Sequence, residues 1–288
     1  MTTRLPERAA RRCHNLINPF HSLHYFSPDL KREMAALGVD HQRAAYFAVR
    51  SAAMGAVGAG VVTATFYNFS PELVARHVPA VWETASPAAV LAARARAVDA
   101  TVRRLLGEEV AAAKETAEAA ELALRATEAC VPYARPLYAA HADLPVPQEP
   151  HLAFWHAATL LREHRGDGHL AVLLRAELDP MEALVTHGAT GMGMSSKWVL
   201  ATRGWSRADW DAACGRLHER GLLDADGELT EAGSALRREI EAETDRLDRA
   251  PYEHLGAEGV ARLTELAGAL ISRAREAGAF PEGLIGKG

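Results

Sequence analysis

The sequence is short of the residues by which most chemistries announce themselves. It has three cysteines, Cys13, Cys130 and Cys214, widely spaced and in no C-x-x-C pair. That spacing argues against a zinc ribbon and a disulfide framework and fits a reducing, cytoplasmic setting. No Gly-x-Gly-x-x-Gly follows a strand-like segment and no Walker loop occurs, so no cofactor is expected. Ser22 and Ser51 lack the strand–turn–helix elbow of a serine hydrolase. No window reaches the ~18 uncharged apolar residues that a bilayer span requires. The most apolar run, 52–69, is broken by Gly55, Gly58 and Gly60. The basic start has no apolar segment behind it, so 1–17 reads as a flexible tail rather than a signal peptide.

A basic surplus is also missing where it would matter. The formal net charge is −5, with 16 Lys/Arg and 15 Asp/Glu in residues 1–150. Residues 151–256 hold 12 Lys/Arg against 18 Asp/Glu. Phosphate recognition needs the opposite balance.

Alanine is abundant and aromatic residues are only 6%. Ala-rich amphipathic stretches recur, which predicts an all-α fold. Ser27-Pro28, Ser70-Pro71 and Ser86-Pro87 each pair a helix N-cap with a proline at the first helical position. They predict helices over 28–37, from 71 through Trp82, and over 87–106, with a further Ala/Glu helix over 108–130. Five prolines across 131–150 predict a linker. Helices follow over 151–164, 169–177 and 180–188, with 164–169 as a Gly-containing turn. Ser195 or Ser196 caps a helix carrying Trp198, and Ser206 with Asp209 forms a capping box for another. Leu222-Leu223 and Glu228-Leu229 flank an Asp226-Gly227 hairpin signal, and a polar helix runs to about Leu247. Three helices, a two-stranded wing and a helix are the order of a winged helix.

The expected domains are therefore an N-terminal helical, degenerate winged-helix-like domain over 18–130 and the linker over 131–150. A winged-helix domain over 151–256 follows, then a C-terminal helix and tail over 257–288. The segment before Trp82 and the segment before Leu217 are alike enough to suggest a degenerate tandem duplication.

Several motifs together carry a resemblance. They are His21 with Tyr25-Phe26-Ser27-Pro28, the segment Val62 to Phe69, and the segment His164 to His169. Arg203-Gly204-Trp205 and the segment Gly221 to Gly227 complete the set. The chain resembles an actinobacterial helix-turn-helix family of largely uncharacterised proteins over most of 18–285. The wing segment alone resembles MarR-type regulators. The resemblance implies a winged-helix-related fold and no set activity, with members often accessory to specialised metabolism. The chain departs from the family pattern at Asn18, where an acidic residue is usual, and at Asp29, where Glu is usual.

Three groups of residues are candidates for chemistry. His21, His24, Tyr25, Tyr67 and Asn68 either line a small-molecule pocket or form an aromatic core. His164, Asp167 and His169, with His156 and His187 nearby on other helices, either form an acid–base site or merely tie a tight turn; their spacing fits no standard metal pattern. Lys197, Arg203 and Arg207 would contact DNA if the module were a regulator, against the acidic wing of Asp224, Asp226, Glu228 and Glu231. DNA is the less favoured partner. The leading expectation is a small-molecule-binding protein of specialised metabolism, with its pocket between the two halves. It would bind a biosynthetic intermediate or perform acid–base chemistry of the cyclisation or elimination type. Rival expectations are a ligand-responsive regulator and a non-catalytic partner subunit. The Ala-rich helices at 86–130 and 257–277 are candidates for interdomain or homodimer packing. No membrane association is expected.

Overall fold

A computed structural model describes residues 5–281 and is all α-helical. In chain order the helices begin with α1 (Ala9–Ser22), α2 (Pro28–Ala35), α3 (Gln42–Ser51), α4 (Ala59–Phe66) and α5 (Pro71–Ala75). Next come α6 (Val81–Thr84), α7 (Pro87–Leu106), α8 (Glu108–Ala111), α9 (Lys114–Thr127), α10 (Pro136–Ala142) and α11 (Pro150–Arg175). The last are α12 (Pro180–Ala189), α13 (Ser196–Thr202), α14 (Arg207–Glu219), α15 (Glu231–Leu247) and α16 (Arg249–Glu276). Among the described residues no single helix is long and apolar enough to cross a membrane.

Two compact units emerge, and they cut the chain differently from the expected 18–130 and 151–256. Unit 1 takes the described part of Met1–Val57 with Pro79–Gly168 and Leu247–Phe280. Unit 2 takes Gly58–Val78 and His169–Arg246. The expected tail over 1–17 is helical from Ala9, because Cys13, Ile17 and Phe20 supply a fully buried apolar face. The expected linker contains α10, whose Leu137 and Tyr138 are buried. The helix expected from Pro71 through Trp82 is instead two short ones, α5 and α6. The end of the expected C-terminal tail, 282–288, lies outside the described residues.

Unit 1 is built around α1, α7, α9, α11 and α16. Its core combines bulky groups such as Phe20, Phe154, Leu161, Leu263 and Ile271 with Ala119, Ala123, Ala126, Ala157 and Ala267. The alanines let helix axes approach closely while the larger chains fill the gaps. Phe20 and Phe154 meet at a ring distance of 4.7 Å. The Ala-rich helices thus pack within unit 1. Arg262 pairs with Glu118, and Arg125 donates to the Leu255 carbonyl.

The clearest correction concerns 164–169, expected as a turn. It is the interior of α11. Gly166 and Gly168 cost helix propensity, roughly 1 kcal/mol each relative to Ala. At Gly168 the reason is room: an added Cβ would lie 3.2 Å from the Arg135 guanidinium. Arg135 crosses there to donate to the carbonyls of His164 (3.0 Å) and Leu247 (3.1 Å).

In unit 2 the capping signals hold. Asp179 with Glu182 and Ser206 with Asp209 both form capping boxes. Helices α12, α13 and α14, a turn, and α15 follow in the expected order. No wing is formed as strands among the described residues: a single antiparallel bridge joins Leu223 and Leu229. Segment 58–78 belongs to unit 2 and is tied there by three bonds. Trp205 Nε1 donates to the Asn68 carbonyl (3.0 Å), Ser70 N to the Arg203 carbonyl (2.9 Å), and Tyr67 Oη to the Leu178 carbonyl (2.5 Å).

Asp29 shows how the N-terminal part of unit 1 is held. Ser27 caps α2, and Asp29 accepts from Arg32 (2.7 Å), Arg104 (2.9 Å) and the Ser27 hydroxyl (2.9 Å). Burial alone would raise its pKa, but the hydrogen bonds from Arg32, Arg104 and Ser27 hold it at about 2. Its carboxylate therefore stabilises the fold above the unfolded value near 4, and that gain is lost as pH falls toward 2. Asp29→Asn should cost about 2 kcal/mol in urea denaturation at pH 7. The gap between variant and parent should close between pH 4 and pH 2; a gap independent of pH would refute the role.

Candidate functional site

One group of buried polar side chains in unit 1 gathers around a stripe of α11. Trp155, Thr159 and Glu163 stand four residues apart on this helix and are all buried. The end of α1 and the 3₁₀ turn Leu23–Phe26 bring His21, His24 and Tyr25. Helix α3 adds Tyr46 and Arg50, α7 adds Arg94, and α10 adds His141.

The hydrogen bonds fix the imidazole tautomers. Thr159 Oγ1 donates to the Trp155 carbonyl (2.9 Å), so it accepts from His21 Nδ1 (2.9 Å). That leaves His21 Nε2 as an acceptor, and Tyr25 Oη donates to it at 3.4 Å. A directed chain results: Tyr25 hydroxyl to His21, His21 to Thr159, Thr159 to backbone. His24 Nδ1 donates to the His21 carbonyl (2.9 Å), which turns a bare Nε2 into the interior. His141 Nδ1 donates to the Leu137 carbonyl (2.8 Å), so its Nε2 accepts from Arg94 (3.0 Å). Trp155 Nε1 closes the group on the His21 carbonyl (3.0 Å).

Charge is concentrated beside this chain. Glu163 is 1% exposed, and its Oε2 takes both Arg50 (3.5 Å) and Arg162. Burial alone would raise the Glu163 pKa, but Arg162 and Arg50 outweigh it and keep the group ionised. Burial pushes the Tyr25 phenol above its ordinary value, so it stays a donor. Burial lowers His21 well below the usual imidazole range and takes His24 and His141 to about 3 and His156 to about 4, Arg94 adding to the last three. These imidazoles are neutral at physiological pH.

Two buried atoms here have no partner among the described residues: Glu163 Oε1 and His24 Nε2. Arg94 forms no ion pair among the described residues; it donates to the Val49 carbonyl (2.8 Å) and His141 and lies 5.1 Å from the Trp155 ring centre. Buried polar groups are usually satisfied, so these two atoms stand out, as do His164 Nε2 and Asp248 Oδ2 elsewhere in unit 1.

The sequence-named residues divide as follows. His21, His24 and Tyr25 come together. Tyr67 and Asn68 lie in unit 2. His187 also lies there and accepts from Arg237 (3.1 Å). His164, Asp167 and His169 do not form a mutual site. His164 Nδ1 donates to Asp248 (2.9 Å), and Asp167 accepts from the Tyr138 backbone (3.0 Å). His169 bonds Thr244 (2.9 Å) in unit 2. Lys197 is exposed, Arg203 stacks on Phe69 at 4.4 Å, and Arg207 pairs with Asp211 (3.0 Å). Among the described residues no group of three His, Cys, Asp or Glu could hold a metal ion.

Sequence reading missed Arg50, Arg94, His141, Thr159 and Glu163. One signal was available: Trp155, Thr159 and Glu163 recur every four residues along α11, which puts them on one face.

A family model described as a helix-turn-helix family matches residues 10–281. No curated protein and no solved structure gives a significant match.

The tautomer assignment is directly testable. Long-range ¹H–¹⁵N spectra at pH 6 should show His21, His24 and His141 neutral and protonated on Nδ1. An imidazolium pattern for His21 at that pH would contradict the relay.

Proposed function

The chain belongs to this helix-turn-helix family, and from that premise we propose that it is a small-molecule-binding member whose unit 1 cluster carries out acid–base chemistry. The observation that carries the reading is the coincidence of unpartnered Glu163 Oε1, unpartnered His24 Nε2 and unpaired Arg94 in one buried place. A purely structural core loses several kcal/mol by leaving such groups unmet, about 1–3 for each neutral group and more for a charge. A ligand supplies the missing partners. The same proposal includes a cytoplasmic setting, which rests on the cysteine spacing, and a place in specialised metabolism, which rests on the resemblance.

The relay gives the chemistry a direction. A proton leaves the ligand for the Tyr25 oxygen as the phenolic proton passes to His21 Nε2. The ligand is deprotonated and His21 becomes an imidazolium, a form that burial disfavours and that the Glu163 charge partly restores. Thr159 keeps the ring aligned. Cyclisation and elimination both begin with such a step.

A second reading, a ligand-responsive regulator, draws on the helix order of unit 2. The charges of α14, third in that order, oppose it. Its exposed residues include Asp209, Asp211 and Glu219 beside Arg207 and Arg216. Arg216 is held by Asp179 (2.5 Å) and Glu182 (3.0 Å), and Arg220 by Glu182 (3.0 Å). These cations are engaged within the protein rather than offered to phosphates.

Thermal-shift screening of the full chain against a library of small polar metabolites should yield stabilising ligands. Tyr25→Phe should keep their binding and lose turnover by roughly 10²-fold. A gel shift with DNA upstream of its own gene should show only weak, salt-sensitive binding. Nanomolar, sequence-selective binding there, with no ligand from the screen, would sink the proposal.

A further inference from the structure

Resting on the binding reading above, we propose that the ligand of unit 1 carries a carboxylate and that Arg94 is the residue that holds it.

Arg94 is 4% exposed. Its Nη1 serves two neutral acceptors, the Val49 carbonyl and His141 Nε2. Its Nε and Nη2 make no hydrogen bond among the described residues. Those two nitrogens form one side of the guanidinium fork, which matches the two oxygens of a carboxylate. The guanidinium is already oriented against Trp155 and anchored at Nη1, so its free edge is preorganised.

The Glu163 charge acts on Arg94, but no carboxylate among the described residues hydrogen-bonds it. His24 and His141 are held neutral by burial, and Glu163 gives its bonded oxygen to Arg50 and Arg162. Burial draws the Arg94 pKa down to about 10, which still leaves it charged at neutral pH. Asp167, raised to about 6 by burial, is mostly ionised there. Arg50, Arg94 and Arg162 thus stand against Glu163 and Asp167, and one positive charge is left over. A monoanion balances it, whereas a phosphate dianion overshoots and carries more desolvation cost. The His24 ring lies 5.4 Å from that of Trp155, against which Arg94 also rests, and its bare Nε2 accepts one hydrogen bond. The ligand class is therefore a small carboxylate that also bears a hydroxyl or N–H.

Salicylate, salicylamide and inorganic phosphate test this on the full-length protein, by calorimetry and by the Arg94 Nε–H signal in ¹H–¹⁵N spectra. Salicylate should bind at least about tenfold more tightly than salicylamide or phosphate and should move that signal. Arg94→Lys keeps the charge, removes the two-donor edge, and should weaken salicylate about tenfold or more. Arg96→Gln, at an exposed pair with Glu33, should change nothing. Should Arg94→Lys fail to fold, the ratio of acid to amide on the native protein decides. Equal binding of acid and amide, preference for phosphate, or an unmoved Arg94 signal would overturn the carboxylate. Neutral hits in the metabolite screen would then leave the binding reading standing; silence in both experiments would remove that reading too.

Discussion

Water does not reach the Trp155–Thr159–Glu163 face of α11, so each polar atom on it must find a partner inside the protein or stand at a cost. That constraint selects the neighbours. Trp155 takes the His21 carbonyl, Thr159 takes His21 Nδ1, and Glu163 draws in Arg50 and Arg162. Those contacts set the tautomer of His21 and hence the direction of the Tyr25 hydroxyl. Removing Glu163 would leave Arg50 buried without its carboxylate, a change on the order of 3–5 kcal/mol. The same low-polarity surroundings that make the cluster expensive make each of its hydrogen bonds strong.

The deficits carry as much information as the bonds. Six helix starts are capped by Ser27, Ser70, Ser86, Asp179, Ser195 and Ser206. Buried atoms without a hydrogen-bond partner occur at several places, among them His164 Nε2 and Asp248 Oδ2, and Glu163 Oε1 and His24 Nε2 are the two that stand in the same cluster as Arg94. Local rules are broken where function resides more often than elsewhere. In unit 2 the helix-turn-helix order persists, with Arg216, Arg220 and Arg207 paired to Asp179, Glu182 and Asp211 and Lys197 exposed. The fold by itself does not set the function.

Some of this was open to sequence reading. The N-caps, the α-class, the acidity of 151–256, and the grouping of His21, His24 and Tyr25 follow from local chemistry, and local chemistry is written in adjacent residues. The turn expected at 164–169 shows where that reasoning stops. Two glycines in six residues look like a break, but Gly168 accommodates the crossing of Arg135, which lies some thirty residues earlier in the chain. Likewise Asp167 seemed placed to orient His164, yet Asp248 takes that bond from α16's N-terminal side. Tyr67 and Asn68 read as pocket residues because they are aromatic and polar in an apolar run. Tyr67 Oη and the Asn68 carbonyl instead fasten segment 58–78 to Leu178 and Trp205.

The helical class, the starts of most helices, the acidity of the second half, and the clustering of histidine and tyrosine near the end of α1 were all legible from the chain alone. Each of these depends on residues a few positions apart, or on composition alone. Which imidazoles are neutral, that Glu163 and Arg94 belong to the same cluster, and that the units are discontinuous in sequence came only from the folded chain. Those depend on burial and on partners more than forty residues apart, such as Arg50 with Glu163 and Arg94 with His141. No periodicity records which distant side chain will exclude the last water.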